Sequence, residues 1–339
     1  MTGLASEPFD VSSWWTAWRF DVAGVLLAVL LLGGYGWMLL AARRRGVHWP
    51  WWRVASYLVL GVGSLLYVTC GAVGVYRGTL LWMFAAQVAV IGTVTPMGLA
   101  LGDPLRLLTA ALGPDGSRVE RAVRSRLVRS LTFPLVSFLL DIAGIMAIFF
   151  TPYGDHAVRS QWLGTVLILQ LLIVGLLFVL PTLADGLLPE WATPPVRTFL
   201  AFLDGVADAL PGILVMTANS ILLPHFPGFS HAADSLRGGL SHTLDQKYAG
   251  GALLAVAESI GVPMLAAVFI EWLRSDAAEA RATDAELDRA ELARASHGRA
   301  HPARGVASSA DDPASEPEAD RPWWLSDPRL ADRFGNRDD

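Results

Sequence analysis

The chain has 339 residues, of which 53% are hydrophobic and 17% charged, and its mean hydropathy is +0.43. A soluble domain averages about 25% charged residues, and the deficit here falls within the first 275 positions, which excludes an ordinary soluble fold. The formal net charge of −5 conceals a split, with arginines beside the apolar stretches and acids crowded toward the tail, and no basic, aromatic-studded surface points to a nucleic acid.

Residues 1–21 carry Glu7, Asp10 and a lone Arg19 where a signal peptide would have a basic start. The first apolar run is therefore expected to stay in the protein as an anchor. Apolar stretches follow at 22–42, 54–76, 79–101, 131–151, 160–183, 198–223 and 248–272. Each reaches the roughly 20 residues that cross about 30 Å of hydrocarbon. At that length only a helix satisfies its own backbone groups in lipid. The expectation is an all-α polytopic protein with seven transmembrane helices over 22–274, the second and third joined by a tight turn at Tyr76-Arg77-Gly78.

Basic residues set the orientation. Arg43, Arg44, Arg45 and Arg53 follow the first span, and Arg106, Arg118, Arg121, Arg124, Arg126 and Arg129 follow the third. The other side has scattered single charges. This predicts an outside N-terminus and a cytoplasmic C-terminus in the plasma membrane. Cys70, alone of its kind, excludes an internal disulfide or a CxxC motif and is expected to pack as a small hydrophobe. Residues 275–296 alternate charge with Ala and Leu, as a solvated helix does. Residues 297–339 are too polar to bury a core and read as a disordered cytoplasmic tail. Trp323-Trp324 within it is a candidate docking motif for a cytoplasmic partner.

Inside the spans sit Asp141, Asp204, Asp208 and Glu258, and no Lys or Arg. A carboxylate at membrane depth is costly unless it is protonated, paired or ligating. Two readings stay open: a proton or hard-cation path, or protonated acids hydrogen-bonding between helices, with Gln87, Thr93, Thr95 and Asn219 as neutral partners. His225, His231 and His242 share the longest outer loop, yet their spacing matches no compact metal motif. No nucleophile elbow, metalloprotease, phosphate-loop or dinucleotide motif occurs, so no enzyme is expected.

Several stretches in order resemble one family. They are Trp82-Met83-Phe84-Ala85-Ala86-Gln87, Val94-Thr95-Pro96, Leu101-Gly102-Asp103-Pro104-Leu105-Arg106-Leu107-Leu108, Arg129-Ser130-Leu131-Thr132-Phe133-Pro134, Gly175-Leu176-Leu177-Phe178-Val179-Leu180-Pro181, Leu222-Leu223-Pro224 and Leu244-Asp245-Gln246 through Ala249-Gly250-Gly251. Together they are similar to the caa3-type CtaG family, multi-helix membrane proteins implicated in assembling cytochrome c oxidase. The resemblance runs over residues 55–275 and carries over Gln87, Pro96, Gly102, Pro104, Asp245 and Gln246. Asp245 is expected to cap the seventh span or to line a site beside the histidine-bearing loop.

The departures from the family pattern all point one way. Phe84 and Val88 stand where the family has an H-M-x-Q-H pair of histidines, and Phe133 stands before the proline of the fourth span. Phe149-Phe150-Thr151-Pro152 replaces a W-H-x-P motif, and Leu167-Ile168 replaces an E-H pair. None of these apolar groups offers a lone pair to a metal. The resemblance therefore implies an assembly protein without intramembrane histidine ligands, with no cofactor expected, a surface copper or zinc site at His225, His231 and His242 as the alternative, and with oxidase subunits and the lipid bilayer as partners. A proton- or cation-coupled transporter using the buried acids, and a membrane scaffold working through the tail, are the alternatives.

Overall fold

The computed structural model describes residues 4–113, 133–183 and 209–300, together with Gly116 and Ser125. The described residues are helical and include no strand. Among the described residues four helices are long and apolar enough to cross a membrane: α1 (Val22–Arg44), α2 (Trp51–Tyr76), α3 (Leu81–Leu112) and residues Gln161–Leu180 within α6 (Gln161–Leu183). A fifth candidate is α4 (Pro134–Phe150), followed by α5 (Tyr153–Arg159), which turns aside by 74°. The expected sixth span has only residues 209–217 described as helix, and the expected seventh lies within α7 (His242–Ala300). The basic loop at 118–124 and the tail beyond Ala300, with Trp323-Trp324, lie outside the described residues. So do Asp204 and Asp208.

The turn between α2 and α3 forms at the expected place, where Tyr76 O accepts from both Thr79 and Leu80 N–H at 2.9 Å. The segment before α1 is stitched onto that turn. Ala5 N–H donates to Thr79 Oγ1 at 2.8 Å, and Phe9 packs edge-on to Trp14, Tyr76 and Trp82. Asp21 caps α1 by accepting from Gly24 N–H at 2.9 Å.

α2 breaks at Gly71, whose extended backbone ends one helical stretch and starts the next. The carbonyls freed there find partners elsewhere. Arg19 N–H donates to Cys70 O at 2.7 Å, and Gln87 Nε2 donates to Val68 O at 2.6 Å. Cys70 itself is buried and packs as a small hydrophobe. In α3, Pro96 has no N–H for the carbonyl four residues back, and the preceding Val90–Val94 widens into a π turn. The carbonyl of Gly92 then meets α6 directly, because a Cβ on Gly175 would overlap it and lie 2.5 Å from Pro96 Cγ. Such close backbone approach is how helices associate where lipid removes the hydrophobic drive.

On the arginine-rich side, the Leu-Gly-Asp-Pro turn of α3 anchors the neighbouring segment. Asp103 adopts a left-handed φ of 49° and accepts from Arg106 N–H, capping Pro104–Leu112. Its carboxylate pairs with Arg53, whose guanidinium lies over Trp49 and Trp52 at 5.3 and 5.2 Å. Beside it Tyr35 stacks on Tyr57 at 3.8 Å and donates to Gly102 O at 2.9 Å.

Candidate functional site: the end of the bundle at the start of α3

The start of α3 is the centre of the arrangement. Its first N–H groups have no partner within the helix, and the N-cap residue, Leu80, has no side-chain acceptor to offer. The missing cap comes from far along the chain. Asp245, with no exposed surface, accepts from Leu81 N–H through Oδ2 and from Trp82 N–H through Oδ1, both at 3.0 Å. The residue that caps α7 is Ser241, whose Oγ accepts from Leu244 N–H at 3.3 Å. Asp245 therefore caps α3 and not its own helix, which corrects the expectation. Burial pushes its pKa up, against the two backbone bonds and the charge of Arg237, which pull it down.

Gln246 works beside it on a different segment. Its Oε1 accepts from Leu222 N–H at 2.8 Å and its Nε2 donates to Ser220 O at 3.0 Å. The consecutive pair thus fastens α3 on one side and the chain after residues 209–217 on the other. Gln87 is a third buried connector. It joins α3 to the broken end of α2 through Val68 O, while its Oε1 accepts from Arg77 at 3.4 Å.

Phe84, Phe149 and Phe226 meet around this framework. Phe84 lies 6.0 Å from Phe149 and 6.3 Å from Phe226, ring centre to ring centre, and each is at most 1% exposed. Val88, Leu167 and Ile168 are buried in the same apolar core. Phe84, Val88 and Ile168, which stand where the family has histidines on α3 and α6, are thus core positions, whereas Phe150, in the place of the W-H-x-P histidine, is 42% exposed. Phe133, by contrast, is partly exposed at the start of α4.

The loop before α7 closes over this core. Phe226 packs on Phe229 at 5.3 Å, and Phe229 stacks on His242 at 4.4 Å. His231 pairs with Asp234 at 3.4 Å on the surface. His225 is held by its backbone, with its N–H 3.3 Å from Asp155 Oδ2 and its carbonyl accepting from Arg159. These three histidines thus have separate environments, and among the described residues no three His, Cys, Asp or Glu side chains gather as a metal site. Asp155, 4% exposed, escaped the sequence reading because nothing in its Tyr-Gly-Asp-His setting marks it as buried. Its Oδ1 has no hydrogen-bond partner, and burial raises its pKa.

Deeper in the bundle, Asp141, Thr93, Gly92, Gly175, Pro211 and Ala257 line a cavity of about 50 Å³. Thr93 Oγ1 is turned to Ala89 O at 2.7 Å. A space of this size holds water or a small ion, well below the roughly 300 Å³ of a typical ligand pocket. Glu258 is exposed on α7 and does not line it. The structure therefore separates Glu258 from Asp141.

The profile of the cytochrome c oxidase caa3 assembly factors matches residues 33–275. An uncharacterized protein of Mycobacterium bovis is 28% identical over 294 residues, and one of Mycobacterium leprae is 25% identical over 290 residues. Each alignment covers 83% of this chain and 43% of the relative, so the chain spans less than half the length of these relatives. No solved structure matches.

Proposed function

We propose, because this chain belongs to the cytochrome c oxidase caa3 assembly factor family, that it assists the biogenesis of a respiratory oxidase as a non-enzymatic membrane protein. In this reading seven helices cross the plasma membrane, with the N-terminus outside and the C-terminus in the cytoplasm. The positive charge beside α1 and α3 supports that orientation. Oxidase subunits are its partners within the bilayer.

The observation that carries the reading beyond the family is the packing of Phe84 against Phe149 and Phe226. Imidazoles at positions 84, 88 and 168 would lie within this core and offer lone pairs. The side chains present fill that volume with carbon and offer none. The Arg77 guanidinium near Gln87 adds a fixed positive charge at the same end, which opposes a metal cation. The protein accordingly binds no stoichiometric copper in its membrane domain and supports assembly by holding its client.

Deletion of the gene, with oxidase activity and haem content measured in the membranes, tests the assembly role. Unchanged oxidase content would refute it. Metal analysis of the purified protein tests the second half: copper that stays bound after His225, His231 and His242 are replaced would overturn the metal-free mode.

A further inference from the structure

The residues before α1 form a strap that descends the side of α2. Its contacts follow one another along that helix. Ala5 is fixed to Thr79 in the α2–α3 turn, and Tyr76 Oη lies 3.2 Å from Ser13 Oγ and donates to Pro8 O at 3.3 Å. Further down, Tyr67 Oη donates to Trp14 O at 3.2 Å, and Arg19 N–H reaches Cys70 O at 2.7 Å. The step from Tyr76 to Tyr67 is about 13 Å at 1.5 Å per residue, more than the roughly 5–8 Å depth of one headgroup layer. While Phe9 and Trp14 pack inward, Val11, Trp15, Trp18 and Phe20 are 60–79% exposed. The Trp18 indole already donates to Trp15 O at 2.9 Å, so that ring leaves water without stranding its N–H.

Three observations make lipid the occupant of this face. The exposed apolar row runs on from Phe20 and Val22 to Leu26, Val29 and Leu30 of α1, a helix long enough to span. Trp162, at the start of α6 beside the α2–α3 turn, is as exposed as the strap, and Trp51 and Trp52 are exposed at the opposite end of α2. Indoles thus stand at two levels and on separate helices, as in the aromatic belts of a bilayer, whereas a protein partner calls for one contiguous patch. Charge adds the third point. Glu7, Asp10 and Asp21 stand against Arg19 in the strap, so anionic headgroups do not attract it and apolar burial does.

We propose that residues 4–20 are a membrane-interfacial strap, with Val11, Trp15, Trp18 and Phe20 seated where headgroups meet acyl chains and Glu7 in water. The strap also supplies the N–H that satisfies Cys70 O at the break in α2, which keeps that carbonyl paired where water is scarce. The proposal rests on α1 crossing the bilayer. It is independent of any client.

The full chain carrying C70A receives single cysteines in turn, V11C, W15C, W18C, E7C and L26C. Each is spin-labelled in phosphatidylcholine nanodiscs. Power saturation then reads collisions with oxygen, which concentrates in lipid, and with a water-soluble nickel chelate. L26C is the lipid reference and E7C the aqueous one. V11C, W15C and W18C should collide severalfold more with oxygen and severalfold less with nickel than E7C does, and adding phosphatidylglycerol should change neither. If those three match E7C while L26C sits in lipid, the strap lies in water and the proposal fails. Shielding from both reagents means that protein covers the face, a second copy included, and overturns the lipid assignment. An aqueous L26C removes the span and the strap together. The unlabelled wild type decides the matter if a variant misfolds: a lipid-dissolved diazirine should label Trp15 and Trp18, and hydroxyl radicals in water should spare them. The opposite pattern overturns the strap.

Discussion

Replacing Asp245 with alanine is the sharpest test of how the start of α3 is held. The carboxylate satisfies two backbone donors at the start of α3, both 3.0 Å away, in a position with no solvent. Removing it leaves Leu81 and Trp82 N–H without acceptors, at about 1–3 kcal/mol for each buried orphan. Part of that loss is returned, since burial of the charged carboxylate is itself unfavourable, as its raised pKa shows. The net destabilisation expected for D245A is about 2–4 kcal/mol. D245N retains one acceptor oxygen and turns an amide donor toward the second N–H, so about half that loss is expected. Unfolding of the purified protein followed by tryptophan fluorescence gives the energies, and Trp82 reports from the site itself. Hydrogen exchange locates the effect: the amides of Leu81 and Trp82 should lose protection in D245A while α1 keeps its own. If both variants unfold like the wild type and those amides stay protected, the cap is not holding α3 and the reasoning fails.

Gly175→Leu forces a side chain onto the Gly92 carbonyl and the Pro96 ring; about 1–3 kcal/mol or more should be lost, whereas Gly33→Ala, which meets open space, should stay within about 1 kcal/mol of the wild type or improve on it. Thermal midpoints of the two variants check both. Asp155 has a folded pKa raised above 3.8, so its contribution to stability is full below that value and declines as pH rises through the folded pKa. D155N should therefore flatten the fall in stability of the wild type between acid and neutral pH, and parallel curves for the two proteins would contradict this. At the arginine-rich side, D103A removes a helix cap and an ion pair and should cost about 1–2 kcal/mol, while D103N keeps the cap and the left-handed backbone and should cost under about 1 kcal/mol. A denaturant titration that ranks D103N below D103A would reverse the argument.

Much of this organisation was legible in the residues. Apolar length placed α1, α2, α3 and α6, and the Tyr76-Arg77-Gly78 turn fell where expected. The Asp245-Gln246 pair stood out through family resemblance, and both side chains are buried connectors. The direction of their bonds was not legible. Asp245 sits 164 positions from Leu81, and a local capping rule sees only its own helix. The bend between α4 and α5 was missed for a related reason. Pro152 marks an interruption, but the 74° turn depends on packing that composition does not encode. Asp155 and Arg77 looked like ordinary loop charges, because burial of a loop residue follows from what folds over it. Asp204 and Asp208 lie outside the described residues.

The acids that first suggested ion chemistry divide once they are placed. Glu258 is exposed on α7, and Asp141 borders a cavity of about 50 Å³. Val88, one of the departures from the family pattern, borders that cavity beside Asp141, and Glu258 does not. At the end of the bundle where α3 starts, Asp245 and Asp155 are buried carboxylates, and both are spent on backbone N–H groups of other segments. Helix breaks at Gly71 and at the start of α3 expose backbone groups that lipid cannot satisfy, and Gln87 and Asp245 meet that need, while Gln246 does the same for Ser220 and Leu222. With imidazoles absent from the core, the polar side chains at this end serve the backbone, and the aromatic rings fill the space between.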